Sequence, residues 1–194
     1  MTIRLAPGDA LMIIDMQNDF LPGGNLEIRG ADVIMTLLNR YIARFQILHL
    51  PVIATRDWHP PDHCSFIDQG GLWPPHCVAG SIGAAFHAHL TLPADAHIVS
   101  KATVRETEAY SAFTGSGLFE LLQSLHICRI FAGGIATEYC VHNTVIDALQ
   151  LGYSVVILQD AIQALNRQPN DGRQAVQDMI EHGAQPAHFC ELAA

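Results

Sequence analysis

Positive charge is scarce in this chain. Its 194 residues hold 10 Lys and Arg against 19 Asp and Glu, a formal net charge of −9, and no cluster of basic residues is longer than a pair. That argues against a nucleic-acid or anionic-membrane partner, because phosphate binding needs concentrated positive charge. Charged residues make up only 15% and hydrophobic ones 49%, the balance of a compact enzyme-like body rather than a disordered chain. No stretch approaches the roughly 18 apolar residues that span a bilayer. The opening MTIRLAPGDALMIID has one early Arg and no sustained apolar run, so a signal peptide is not expected. The five cysteines are odd in number and irregularly spaced, which suits reduced thiols in the cytoplasm better than a disulfide framework. Three phosphate or nucleophile signatures are missing as well. There is no G-x-G-x-x-G after the first apolar run, no G-x-x-x-x-G-K-[ST] and no G-x-S-x-G, which removes dinucleotide, P-loop and serine-hydrolase readings.

Short apolar runs alternate with helix-length segments. Strands are expected at 10–14, 51–55, 97–101, 127–134 and 153–159, with a sixth at 187–192. Apolar positions at helical spacing (Val33, Ile34, Leu37, Leu38, Tyr41, Ile42, Phe45, Leu48) mark a helix over 31–49. Further helices are expected at 117–125, 137–151 and 172–183, with Gly152 and Gly183 at C-terminal cap positions. Such alternation builds βαβ units. The expectation is one domain over 1–194, a three-layer α/β/α sandwich around a mainly parallel, Rossmann-like sheet of about six strands.

In open α/β sheets, sites gather outside the carboxyl ends of the strands. The first expected strand leads to Asp15, the second to Asp57 and His59, the third to Lys101, and the fourth runs through GGIATEYC to Cys140. Singly, these have bland readings as a turn aspartate, a solvated lysine and a buried small hydrophobe. Together their chemistries complement one another. A Cys in the first turn of a helix has its thiolate favoured by free amides and the helix dipole. A lysine ammonium favours that thiolate further, and a carboxylate can carry the thiol proton to a leaving group.

The stretch RDWHPPDHCSFIDQGGLWPPHC over 56–77 is crowded with metal-ligating residue types. Asp57 and His59, one residue apart on an extended segment, point the same way, and His76 follows a Pro/Gly-rich excursion. One Asp and two His suit a divalent ion such as Zn²⁺, Fe²⁺ or Mn²⁺ with open positions left. His63 and Ser65 both stand near enough to complete the set. Cys64 and Cys77 match no common zinc spacing and are read as ordinary thiols.

The segments IIDMQNDFLPGG, TRDWHPPDHCSF, WPPHC, SK, YSAF and GGIATEYCV together resemble the nicotinamidase/pyrazinamidase branch of the isochorismatase-like cysteine hydrolases. The resemblance implies a deamidase that turns nicotinamide into nicotinate and ammonia through a cysteine thioester, in NAD salvage, with pyrazinamide as a second substrate. It implies Cys140 as nucleophile, Asp15 as proton carrier and Lys101 as third member of the triad. It implies a cis peptide between Ile135 and Ala136, with the amides of Ala136 and Cys140 facing the substrate oxygen. Phe20 and Trp73 match aromatic walls, and Tyr110 and Tyr139 are added as pocket candidates. Asp57, His59 and His76 match ligands of one divalent metal, with Ser65 the favoured fourth position over His63. Two positions depart from the pattern: Ala102 stands where members usually have Gly, and Glu108 where Asp is common. The competing readings are a related small-amide hydrolase, such as an N-carbamoyl amidase, and a non-catalytic binding subunit of the same fold. The expected partner is the small-molecule substrate, with no nucleic acid and no membrane, and a homo-oligomer is left open.

Overall fold

The computed structural model describes residues 2–193. Among these described residues, eight strands and four α-helices follow in order: β1 (Ile3–Arg4), β2 (Asp9–Ile14), α1 (Met35–Ile47), β3 (Val52–Asp57), β4 (His97–Lys101), α2 (Leu118–Ser124), β5 (Arg129–Ile135), α3 (His142–Gln150), β6 (Ser154–Gln163), α4 (Asp171–Glu181), β7 (Gln185–Ala187) and β8 (Leu192–Ala193). Six of these strands form one sheet in the order β4-β3-β2-β5-β6-β7, every neighbouring pair parallel. The chain starts that sheet in the middle, builds outward to β4, then returns to the other side of β2. The reversal falls between β2 and β5, where an open α/β sheet opens a crevice at its carboxyl edge.

The central strands are apolar on both faces because both faces are covered. On one side, Leu11 and Ile13 of β2 and Phe131 of β5 pack with Leu38, Tyr41, Ile42 and Phe45 of α1. On the other, Met12 and Ile14 of β2 and Ile130 of β5 pack with Leu118 and Leu122 of α2, Val145 of α3 and Met179 of α4. This is the expected three-layer arrangement, with the helices divided unequally between the faces.

Two elements differ from the sequence expectation. The sixth strand of the sheet is Gln185–Ala187, ahead of the expected 187–192. It is a short edge strand with exposed Gln185 and Pro186, so it carries no apolar run, and an edge tolerates a proline. Residues Phe189–Glu191 form a 3₁₀ turn, and Leu192–Ala193 pairs instead with Ile3–Arg4 in a separate two-stranded sheet. The helix expected over 137–151 opens with a π-helical turn, Thr137–Val141, before α3 begins.

Gly134, near the end of β5, takes φ +129°, and a Cβ there would collide with the backbone of Ile14 on β2. That close approach brings the carboxyl ends of β2 and β5 together. Gly134→Ala is expected to destabilise the protein by at least about 2 kcal/mol, combining an unfavourable backbone region with backbone overpacking. A urea denaturation curve checks this; an unchanged midpoint would show that the approach is not tight.

Candidate active site

Four neighbouring strands each deliver one reactive group to the crevice. Asp15 follows β2 in a left-handed turn (φ +54°), Asp57 ends β3, Lys101 ends β4, and Cys140 sits in the π-helical turn after β5. Lys101 Nζ lies 3.0 Å from Asp15 Oδ2, 2.5 Å from Asp57 Oδ1 and 3.3 Å from Cys140 Sγ, and also donates to the Ala109 carbonyl at 3.2 Å. Asp15, Lys101 and Cys140 are all buried. Burial opposes a charge on Lys101, yet the Asp15 and Asp57 carboxylates hold its ammonium well above the ordinary lysine value. Burial pushes the Asp15 carboxyl up against the pull of Lys101. Burial also pushes the Cys140 thiol up, again opposed by Lys101. The resting cluster therefore holds a lysine cation beside a thiol and a carboxyl of raised proton affinity, the condition for passing a proton between them.

The second set stands beside the first. One ligand atom from each of Asp57, His59 and His76 lies within 4.8 Å of the others. His59 is 1% exposed, and neither ring nitrogen has a hydrogen-bond partner. A buried imidazole with both nitrogens unpaired is unfavourable, and a cation accepted by one of them relieves that. Burial, then the neighbouring His76 and His63, push His59 down to about 2, which leaves it neutral and ready to ligate. His76 Nδ1 faces the Pro74 carbonyl at 2.8 Å. That contact places the proton on Nδ1 and frees Nε2, the usual support for a metal-binding histidine. These residues fit a divalent metal. Asp57 joins the two sets, with Oδ1 on Lys101 and Oδ2 3.8 Å from His59 Nε2.

His63 and Ser65 occupy different ranks. The His63 ring packs beside His59, centroids 4.3 Å apart, but its Nε2 meets the Thr107 carbonyl at 3.1 Å and its Nδ1 meets Ser65 Oγ at 2.8 Å. A carbonyl only accepts, so Nε2 carries the proton and Nδ1 receives the Ser65 hydroxyl hydrogen. Ser65 lines the pocket with its oxygen lone pairs available, and His63 stands behind it.

A pocket opens above both sets. It is lined by Cys140 and Ala136, by Asp57, His59, Ser65 and His76, and by the aromatic side chains of Phe20, Trp73, Tyr110 and Tyr139. Trp73 Nε1 donates to Tyr110 Oη at 3.0 Å, and its ring meets Tyr139 edge to face, centroids 5.2 Å apart. The lining is mostly apolar and aromatic, which suits a flat ring. The Ile135–Ala136 peptide is cis. Of the two unusual positions, Ala102 takes φ +51°, where glycine is favoured, and Glu108 reaches the pocket rim.

Several residues of this site were missed by sequence reasoning. Leu26, Ile28 and Leu165 line the pocket. Thr55 Oγ1 donates to Asp15 Oδ1 at 2.6 Å and orients that carboxylate. Gln17, fully buried, accepts from the Asp57 amide at 2.8 Å and donates to the Asp57 carbonyl at 2.7 Å, clamping the backbone of the residue that joins both sets. Asp19 accepts from the Cys77 amide at 2.7 Å, fastening the loop next to His76, and a Cβ on Gly83 would strike its carboxylate. Gln17 and Asp19 fall in the segment IIDMQNDF, but their partners are distant in sequence. All five cysteines are free, and Cys77 lies in the core with its thiol pushed strongly up by burial.

The Isochorismatase domain profile matches residues 9–188. A nicotinamidase of Escherichia coli (strain K12) is 37% identical, covering 92% of this chain and 93% of its own. The pyrazinamidase of Pyrococcus horikoshii in complex with zinc superposes with a TM-score of 0.90 at 43% identity, covering 94% of this chain and 100% of its own. PnC1 from L. infantum in complex with nicotinate superposes with a TM-score of 0.91 at 34% identity, covering 100% of both chains.

Gln17→Leu leaves the Asp57 amide and carbonyl without their partners in a buried place. The expected loss is about 2–4 kcal/mol of stability, together with weaker retention of divalent metal. Denaturation and metal analysis on the same preparation check this. Wild-type values of both would show that the clamp has no such role.

Proposed function

The chain belongs to the isochorismatase-domain family, and on that premise we propose that it is a metal-containing cysteine amidase. It hydrolyses nicotinamide to nicotinate and ammonia, and pyrazinamide to pyrazinoate, as a single hydrolase domain over 1–194. The observation that carries this reading is the junction of a buried Asp15–Lys101–Cys140 cluster with an Asp57–His59–His76 set, Cys140 and all three members of that set lining one aromatic pocket. The relatives named above act on, or are solved with, this same chemistry.

In the proposed mechanism the ring enters between the walls of Phe20, Trp73, Tyr110 and Tyr139, with its carboxamide over Cys140. Asp57, His59 and His76, with Ser65 beside them, would hold a divalent ion, which when bound would supply Lewis-acid chemistry beside the ring. Asp15 takes the Cys140 proton as Sγ bonds to the carboxamide carbon. The Lys101 ammonium stabilises the thiolate character that develops at 3.3 Å from it. The amides of Ala136 and Cys140 receive the oxyanion. Asp15 returns its proton to the amide nitrogen, the C–N bond breaks and ammonia departs, leaving a thioester. Water then attacks the thioester with Asp15 as base, and the C–S bond breaks to release nicotinate and restore the thiol. Nicotinate is a precursor for NAD salvage, and the enzyme works in the cytoplasm. Among the described residues no helix is long and apolar enough to cross a membrane.

Ammonia release from nicotinamide tests the reaction. Cys140→Ala is expected to lower kcat by at least about 10³-fold, as loss of a covalent nucleophile does in a cooperative triad. Turnover close to wild type in that variant would sink the mechanism. Chelation of the wild type is expected to reduce turnover by about tenfold or more, with recovery on adding back a divalent ion. A metal-free preparation working at full rate would remove Asp57, His59 and His76 from the proposed metal role.

A further inference from the structure

One wall of the pocket comes from outside the rim. Leu165 lines it from residues 164–170, the strap between β6 and α4. The strap makes three contacts with the site. Leu165 faces the pocket, the Arg167 guanidinium carbon lies 5.1 Å from the centre of the Trp73 ring, and two strap amides donate to one carboxylate. That carboxylate is Glu138: Oε2 accepts from the Leu165 amide at 3.2 Å, and Oε1 from the Asn166 amide at 2.5 Å. Glu138 belongs to the same π-helical turn as Cys140. The same Asn166 ties the strap to α4, its Oδ1 accepting from the Gly172 amide at 3.0 Å.

From this geometry we infer that Glu138 is a positioning and specificity-determining residue, a clasp that fixes the strap wall at a set distance from the Cys140 turn and so limits the size of ring the pocket accepts. The inference rests on the amidase reading above. The two adjacent amides each meet a separate oxygen of Glu138, and among side chains of this shape a carboxylate alone offers two acceptor oxygens. A glutamine has the same shape but turns an NH₂ toward one donor. It breaks half of the clasp and leaves the turn's backbone in place. The wall then moves away from the ring, which weakens binding more than it slows chemistry at Cys140.

The test compares wild type with Glu138→Gln on nicotinamide and on a nicotinamide bearing an added ring substituent, alongside limited trypsin digestion. Arg167 provides a trypsin site inside the strap. KM for nicotinamide is expected to rise about tenfold with a fall in kcat below about threefold, the signature of lost binding rather than lost transition-state contact. The ratio of kcat/KM for the substituted amide over nicotinamide is expected to rise several-fold, and cleavage after Arg167 to quicken about tenfold as the clasp opens. Unchanged KM and unchanged selectivity in a folded Glu138→Gln variant would overturn the inference. So would a loss confined to kcat, which would place the effect on the Cys140 turn. If the variant does not fold, Asn166→Ala releases the strap at its other tie, with the same directions expected and the same results overturning. Should the wild type fail to hydrolyse nicotinamide, the amidase reading falls. Trypsin then decides for the clasp alone, and equal cleavage of the two proteins at Arg167 overturns it.

Discussion

The site depends on one buried ammonium. Lys101 is 1% exposed, and a cation in that place persists only because it is paired on several sides at once. The order of its partners is the order of the strands. Reading across the sheet, β4 carries Lys101, β3 carries Asp57, β2 leads to Asp15, and β5 leads to the turn with Cys140. Asp57 and Lys101 are directly paired in register, so parallel pairing itself brings the first carboxylate to the ammonium. With either carboxylate gone the other still pairs the ammonium; removing both would leave an uncompensated buried charge, a loss of about 3–5 kcal/mol in comparable pairs. Fold and chemistry therefore share the same constraint.

Asp57 shows how tightly the two halves of the site are joined. One of its oxygens contacts Lys101, and the other faces His59. A divalent ion held on the histidine side would draw on the same carboxylate as the ammonium on the other side. Its backbone is held at both N–H and C=O by Gln17, which also donates to the Ala84 carbonyl at 2.9 Å. Such a residue cannot shift toward one partner without leaving the other. Sorting it into a metal set apart from the Asp15–Lys101–Cys140 cluster, as a sequence reading does, divides what the structure unites.

Legibility in the sequence followed the kind of interaction. The central strands could be read because a strand buried on both faces shows a continuous apolar run, as in ALMII of β2. The strand ends could be read because parallel topology puts polar residues of consecutive strands on one rim. The edge strand Gln185–Ala187 could not, since two of its three residues are exposed and it has no apolar pattern. Gln17, Thr55, Asp19 and Glu138 were equally silent. Each is a common polar residue whose meaning lies in a distant partner: Asp57 for Gln17, 40 positions on, Cys77 for Asp19, 58 on, and Leu165 for Glu138, 27 on. Polar contacts of that range leave no periodicity, and no local rule marks them. His63 and Ser65 illustrate the same limit: their spacing admits either at the pocket, and only the Thr107 carbonyl decides which one stands in front.

Cys77 and Cys140 make the argument about reactivity. Both are buried, and burial pushes both thiols up. Burial alone therefore does not make a nucleophile; it makes an inert thiol. The surroundings separate them. After burial, the largest influence on Cys77 is the Asp57 carboxylate, which pushes its thiol further up, whereas on Cys140 it is the Lys101 ammonium, which pulls the thiol down against Asp15 and Asp57. Cys140 also faces the pocket, next to a carboxyl of raised proton affinity. A thiol of this kind is protected at rest and acquires thiolate character only as its proton moves. That transfer is most favourable once the ring and the walls have excluded water, because the low dielectric strengthens the ammonium's effect.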